Sequence, residues 1–134
     1  MMYRETRTVE VEALRDFMER LLMAVGCDEG TAATLANVHL EADLRGVGVQ
    51  GLNHLISSHL PDFRSGKIDP AGKPEVVREG DAYALIEGNS CSGPIAAIPA
   101  AELAAAKARK AGCATVGVRH SHDLFIAGYY AELM

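Results

Sequence analysis

Residues 83–118 spell strand, helix, strand, and that order narrows the possible folds more than anything else in the chain. Tyr83-Ala84-Leu85-Ile86-Glu87 is short and mostly apolar; Gly93-Pro94 can open an alanine-rich helix running through Ala111, and Gly112 can close it. Cys113 to Val118 is a continuous apolar run of the kind buried strands show. Together they form a βαβ unit whose crossover should be right-handed. Val76-Val77-Arg78-Glu79 and Gly80-Asp81 place a β-hairpin just ahead of it. One helix cannot cover both faces of a sheet with a parallel pair. The missing cover must come from the N-terminal helices, a partner chain, or sequence this chain lacks.

The first half reads as helices. Thr8 can cap a helix whose apolar residues fall at Val11, Leu14, Met18, Leu21 and Val25, and Gly26 can end it in a left-handed cap. Asp28 can cap a second helix from Glu29 to about Arg45, stopped near Gly46. Leu52, Leu55, Ile56, Leu60 and Phe63 suggest a third, with a kink or break at Pro61. The expected class is therefore α/β (α+β-like), with a helical subdomain over residues 1–68 and a hairpin plus βαβ portion over 69–134.

Composition excludes several functions. At 134 residues with 49% hydrophobic and 23% charged content, the chain is globular and long enough for one core. A net charge of −5 argues against nucleic acid or anionic membrane as main partners. No apolar run approaches the roughly 20 residues that span a bilayer. Cys27, Cys91 and Cys113 are odd in number and widely spaced, which predicts reduced thiols and a cytoplasmic protein.

Three loops carry the candidate chemistry. Gly46-x-Gly48-x-Gln50-Gly51 admits close ligand approach, but its spacing alone fits a flexible helix connection equally well. It lacks the strand context of a dinucleotide fingerprint. Gly88-Asn89-Ser90-Cys91-Ser92-Gly93 has no Lys to reach a phosphate, and Ser90 or Ser92 as a simple helix N-cap explains it. His120-x-His122-Asp123 follows the second strand of the βαβ unit, where open α/β sheets bind ligands. A metal would need further ligands. His54 and His59, five apart, should lie about 140° apart on a helix and so could not pinch one ion. No metal site is expected.

Arg45-Gly46 with Gly51, the turn Phe63-Arg64-Ser65-Gly66-Lys67-Ile68-Asp69-Pro70, and Val118-Arg119, Ser121 and Ala127-Gly128-Tyr129-Tyr130 share a pattern. In order and spacing they resemble the N-terminal portion of the malate/L-lactate dehydrogenase family, which is distinct from the Rossmann dehydrogenases. The resemblance implies NAD- or NADP-dependent chemistry on a 2-oxo/2-hydroxy acid. It also implies Arg45 and His54 at substrate-binding positions, His54 standing where the family has arginine. His120, Ser121 and Gly128 fall at cofactor positions. The family's acid/base histidine is matched by Gln50, its neighbouring serine by Val49 and its aspartate by Gly48. In the second loop the family histidine becomes Asp123 and a glycine becomes Phe125. An amide can hydrogen-bond a carbonyl but cannot shuttle a proton. The chemistry is thus either reassigned, with Gln50, Asp123 and His122 as the catalytic set and Asp123, His122 or His54 as the proton donor and acceptor, or abandoned in favour of a non-catalytic binding or assembly module. The resemblance covers only the front of a family protein, so the chain is expected to act as a homodimer or with a complementing chain.

Overall fold

The computed structural model describes residues 7–134, and its elements follow from local chemistry. Helix α1 spans Val11–Ala24. It starts from Glu10 with no side-chain cap, so Thr8 does not perform the capping role expected of it. Gly26 takes the left-handed conformation (φ 102°) that ends α1. Asp28 then caps α2, Glu29–Leu44, its carboxylate accepting from Thr31 N–H at 2.7 Å. Gly46, also left-handed (φ 75°), follows its end.

The third apolar segment is one helical rod of three parts: α3 (Leu52–His54), a π turn (Leu55–His59) and α4 (Leu60–Arg64). Pro61 has no N–H, and its ring crowds the carbonyl one turn earlier. The rod accommodates this by widening rather than breaking: Leu60 N–H reaches back five residues to Leu55 O. The expected kink is therefore a π turn just ahead of the proline.

Strands β1 (Glu75–Gly80) and β2 (Tyr83–Glu87) pair antiparallel, with a register shift between Val76 and Arg78. Helix α5 (Gly93–Ala111) crosses over to β3 (Thr115–Arg119), which pairs parallel with β2 from Tyr83↔Thr115 to Glu87↔Arg119. The sheet order is β1-β2-β3. Ala84 and Ile86 are buried beneath α5, whereas Tyr83 is 47% exposed and β1 is exposed along nearly all its length. The helix covers one sheet face, as its single copy requires. A short α6, Ala127–Ala131, closes the described chain.

Two apolar clusters organise the interior. The larger joins Met18 and Leu22 of α1, Leu35 and Leu40 of α2, Leu55, Leu60, Phe63 and Ile68. Ile95 of α5 packs against it, tying the βαβ unit to the helices. The smaller joins Val38 and Ala42 of α2 to Phe125 and Ile126, so the second loop sits directly on α2. That placement builds the site. Among the described residues, no helix is long and apolar enough to cross a membrane, and all three cysteines are free.

Candidate active site

Four histidines from separate elements converge: His39 on α2, His54 and His59 at either end of the π turn, and His122 in the loop after β3. The π turn corrects the expectation that His54 and His59 diverge by about 140°. Five residues complete its hydrogen-bonded loop rather than overshoot it, and the two rings lie 6.5 Å apart. His59 stacks on His122 at 6.5 Å, and His39 lies 5.9 Å from His54. Among the described residues no group of three or more metal-ligating side chains is poised around an ion.

Phe125 fills the middle of this cluster. Its ring centroid is 4.4 Å from His39, 4.7 Å from His59 and 5.1 Å from His54. Its backbone is left-handed (φ 66°), a region that costs a side-chain-bearing residue on the order of 1 kcal/mol. The packing of an almost fully buried ring over three imidazoles offsets that strain. Asp123 fixes the turn: Oδ1 accepts from Phe125 N–H at 3.0 Å, and Oδ2 lies 3.9 Å from His54 Nε2.

His122 has its own carboxylate. Its Nε2 lies 3.1 Å from Asp62 Oδ2. The Lys67 ammonium, 2.8 Å from Asp62 Oδ1, holds that carboxyl below its ordinary range, so it remains an anion beside His122. The far nitrogens, His54 Nδ1 and His122 Nδ1, are buried without a protein partner, as is Gln50 Oε1. Two imidazoles thus each have one nitrogen facing a carboxylate and the other buried without a protein hydrogen bond. This is how a carboxylate orients a histidine for proton transfer.

His39 and His59 differ from them. Both are fully buried, and burial pushes both below the ordinary histidine range, His39 down to about 4. Sequence reasoning overlooked His39 and discounted His59. The available signal was position: His39 interrupts the buried face of α2 between Leu35 and Ala42, where a polar residue needs a partner. Ser92 does stand at the N-cap position of α5, but its hydroxyl makes no capping bond. It lies 2.9 Å from His59 Nε2 instead, so simple capping does not account for it.

The other site residues fall as follows. The turn bearing Gln50 meets the second loop through His39, whose Nδ1 is 2.8 Å from the Gln50 carbonyl and whose ring packs on Phe125. The Arg45 guanidinium is held by Glu41 (3.2 Å) and by Glu132 beyond α6 (2.8 Å). His120 points outward, 71% exposed, with Nδ1 2.9 Å from Glu87. Ser121 is half-buried beside it, and a Cβ on Gly128 would meet nothing within 4 Å. His120 and Ser121 follow the carboxyl end of β3, and Gly128 lies in α6.

A profile described as malate/L-lactate dehydrogenase matches residues 9–134. The chain is 37% identical over 120 residues to a malate dehydrogenase of Pyrococcus abyssi, covering 90% of this chain and 33% of that protein. It is 34% identical over 116 residues to an L-sulfolactate dehydrogenase of Methanothermobacter thermautotrophicus, covering 87% and 34%. A crystal structure of malate dehydrogenase from Entamoeba histolytica superposes with a TM-score of 0.88 at 32% identity, covering 94% of this chain and 35% of that one. The chain therefore spans about a third of the length of the relatives it matches.

Proposed function

Because the chain belongs to the malate/L-lactate dehydrogenase family, we propose that it is the substrate-polarising part of an NAD- or NADP-dependent oxidoreductase for 2-oxo/2-hydroxy acids, in which the proton role has moved from position 50 to His122. The observation that carries this reading is the His122–Asp62 pair. Nε2 is engaged by an anion and Nδ1 is buried and free. In this assignment Asp62 orients the ring and offsets its positive charge when it gains a proton. His122 Nδ1 gives a proton to, or takes it from, the substrate oxygen. His54, steadied by Asp123, faces the substrate carboxylate, and Gln50 contributes an amide hydrogen bond. A nicotinamide would supply or accept the hydride.

The test is 2-oxo-acid-dependent oxidation of NADH or NADPH by the wild type and by His122→Gln and Gln50→Ala. General acid–base groups contribute about 10²–10⁴-fold. The expected result is a loss of that order for His122→Gln and a smaller one for Gln50→Ala. Equal rates in wild type and His122→Gln would remove the assignment.

A second reading, a non-catalytic binding or assembly module, draws support from Arg45 being occupied by Glu41 and Glu132. It expects a folded chain whose melting temperature responds to neither nicotinamide cofactor, and Gln50→His with Asp123→His to yield no turnover.

A further inference from the structure

A line of buried polar groups runs through the molecule behind the substrate side of the site. His39 Nδ1 is 2.8 Å from the Gln50 carbonyl oxygen, His39 Nε2 is 2.9 Å from His59 Nδ1, and His59 Nε2 is 2.9 Å from Ser92 Oγ. His39 and His59 are 0% exposed and Ser92 is 2% exposed. Each comes from a different element: α2, the π turn and the start of α5. The first loop supplies the terminus.

The direction of every hydrogen bond in this line follows from one end. A backbone carbonyl can only accept, so His39 Nδ1 carries a proton and donates it to Gln50 O. Neutral His39 then offers Nε2 as an acceptor, and His59 must donate from Nδ1. His59 Nε2 is left to accept, and the Ser92 hydroxyl donates. All members are satisfied only in this order, and a half-satisfied buried string would be worse than an apolar core. One local departure is explained by it. Ser92 forgoes the capping bond open to an N-cap serine, while the π turn ahead of Pro61 brings His59 into line.

We propose that His39, His59 and Ser92 are positioning residues that grip the Gln50 carbonyl and set the register of the first loop against the second. This goes beyond the acid–base assignment of His122 and stands whether or not that assignment survives. Gln50 lies one residue ahead of Gly51 and two ahead of Leu52, whose N–H is held at 2.8 Å by Asp43 Oδ2. The loop is thereby pinned twice over three residues, once by its carbonyl and once by its amide. Because the string ends in the βαβ half at Ser92, it joins the two halves through hydrogen bonds as well as through apolar packing.

The test begins on the wild-type chain. Long-range ¹H–¹⁵N correlation spectra at pH 7.5 assign histidine tautomers directly, and His39 and His59 should both be the Nδ1–H form, the one free imidazole populates less. An Nε2–H form at either position overturns the proposal without any variant. The second measurement is amide hydrogen exchange in the first loop. His39→Asn keeps an N–H where Nδ1–H stands and should preserve protection of the Gln50–Leu52 amides, whereas His39→Leu should speed their exchange at least tenfold. Equal exchange in the two variants would reduce the string to ordinary packing.

Discussion

Gly93→Ala is expected to cost on the order of 3 kcal/mol, enough to lower the melting temperature by roughly 10 °C in a domain of this size. Gly93 opens α5 directly beneath the second loop. A Cβ there would land on the Asp123 carbonyl and lie 2.6 Å from the His122 carbonyl oxygen. Both obstacles are backbone, so no rotamer change relieves them. The loop must lift, and His122 leaves Asp62 as it does so. The variant should therefore lose stability together with any function that depends on His122. Gly30→Ala is the matched control, since its Cβ would meet only the Asp28 carboxylate at 3.8 Å. Its helical position makes a small gain in stability the expected result. Comparable melting temperatures for Gly93→Ala and wild type would show that the loop is not seated where the structure has it.

Mild acid should weaken the fold well before its carboxylates titrate. The unfolded chain takes up protons on its histidines as pH falls through about 6.5. The folded chain resists doing so at His39, held down to about 4 by burial, and at His59, depressed for the same reason. Between those limits the unfolded state binds more protons, so stability declines as pH falls and is regained above about 6.5. At about 1.4 kcal/mol for each pH unit of the interval, His39 alone costs roughly 2 kcal/mol by pH 5, and His59 acts in the same direction. Asp28, Asp62 and Glu87, whose carboxyls lie below their ordinary range, add their losses only at lower pH. Urea midpoints at pH 7.5 and pH 5.0 measure this. The expected result is a clear drop at pH 5.0 that shrinks when His39 is replaced by Asn. Identical midpoints would contradict the burial of the two rings as neutral groups.

Much of the architecture was legible before any coordinates. The Asp28 cap, the left-handed Gly26, the Gly93–Ala111 helix with its Gly112 stop and the β1–β2 hairpin each depend on local chemistry that short segments carry by themselves. The two loops bearing Gln50 and His122 also stood out, because glycine spacing and polar clusters are local signals. The buried string was not legible. His39 looks like one polar residue on a helix until α5 brings Ser92 to the far side of His59, and that meeting is set by tertiary packing. The angle between His54 and His59 failed for a related reason. An ideal helical period was applied across a segment where Pro61 forces a wider turn. The Arg45–Glu132 pair was equally hidden, because its members lie 87 residues apart.

The π turn also makes chain length itself informative. Removing one residue between Leu55 and Leu60 would convert the π turn into an ordinary α turn and leave the side chains beyond it on nearly their present faces, whereas a deletion in the regular turns of α2 would swing every later side chain of that helix by about 100°. Phe63 would still face the larger cluster and Asp62 the second loop, each drawn back by about one residue's rise. A single-residue deletion should therefore be tolerated better within these five residues than in the regular turns of α2. A library of single-residue deletions scored for soluble expression would map that contrast directly.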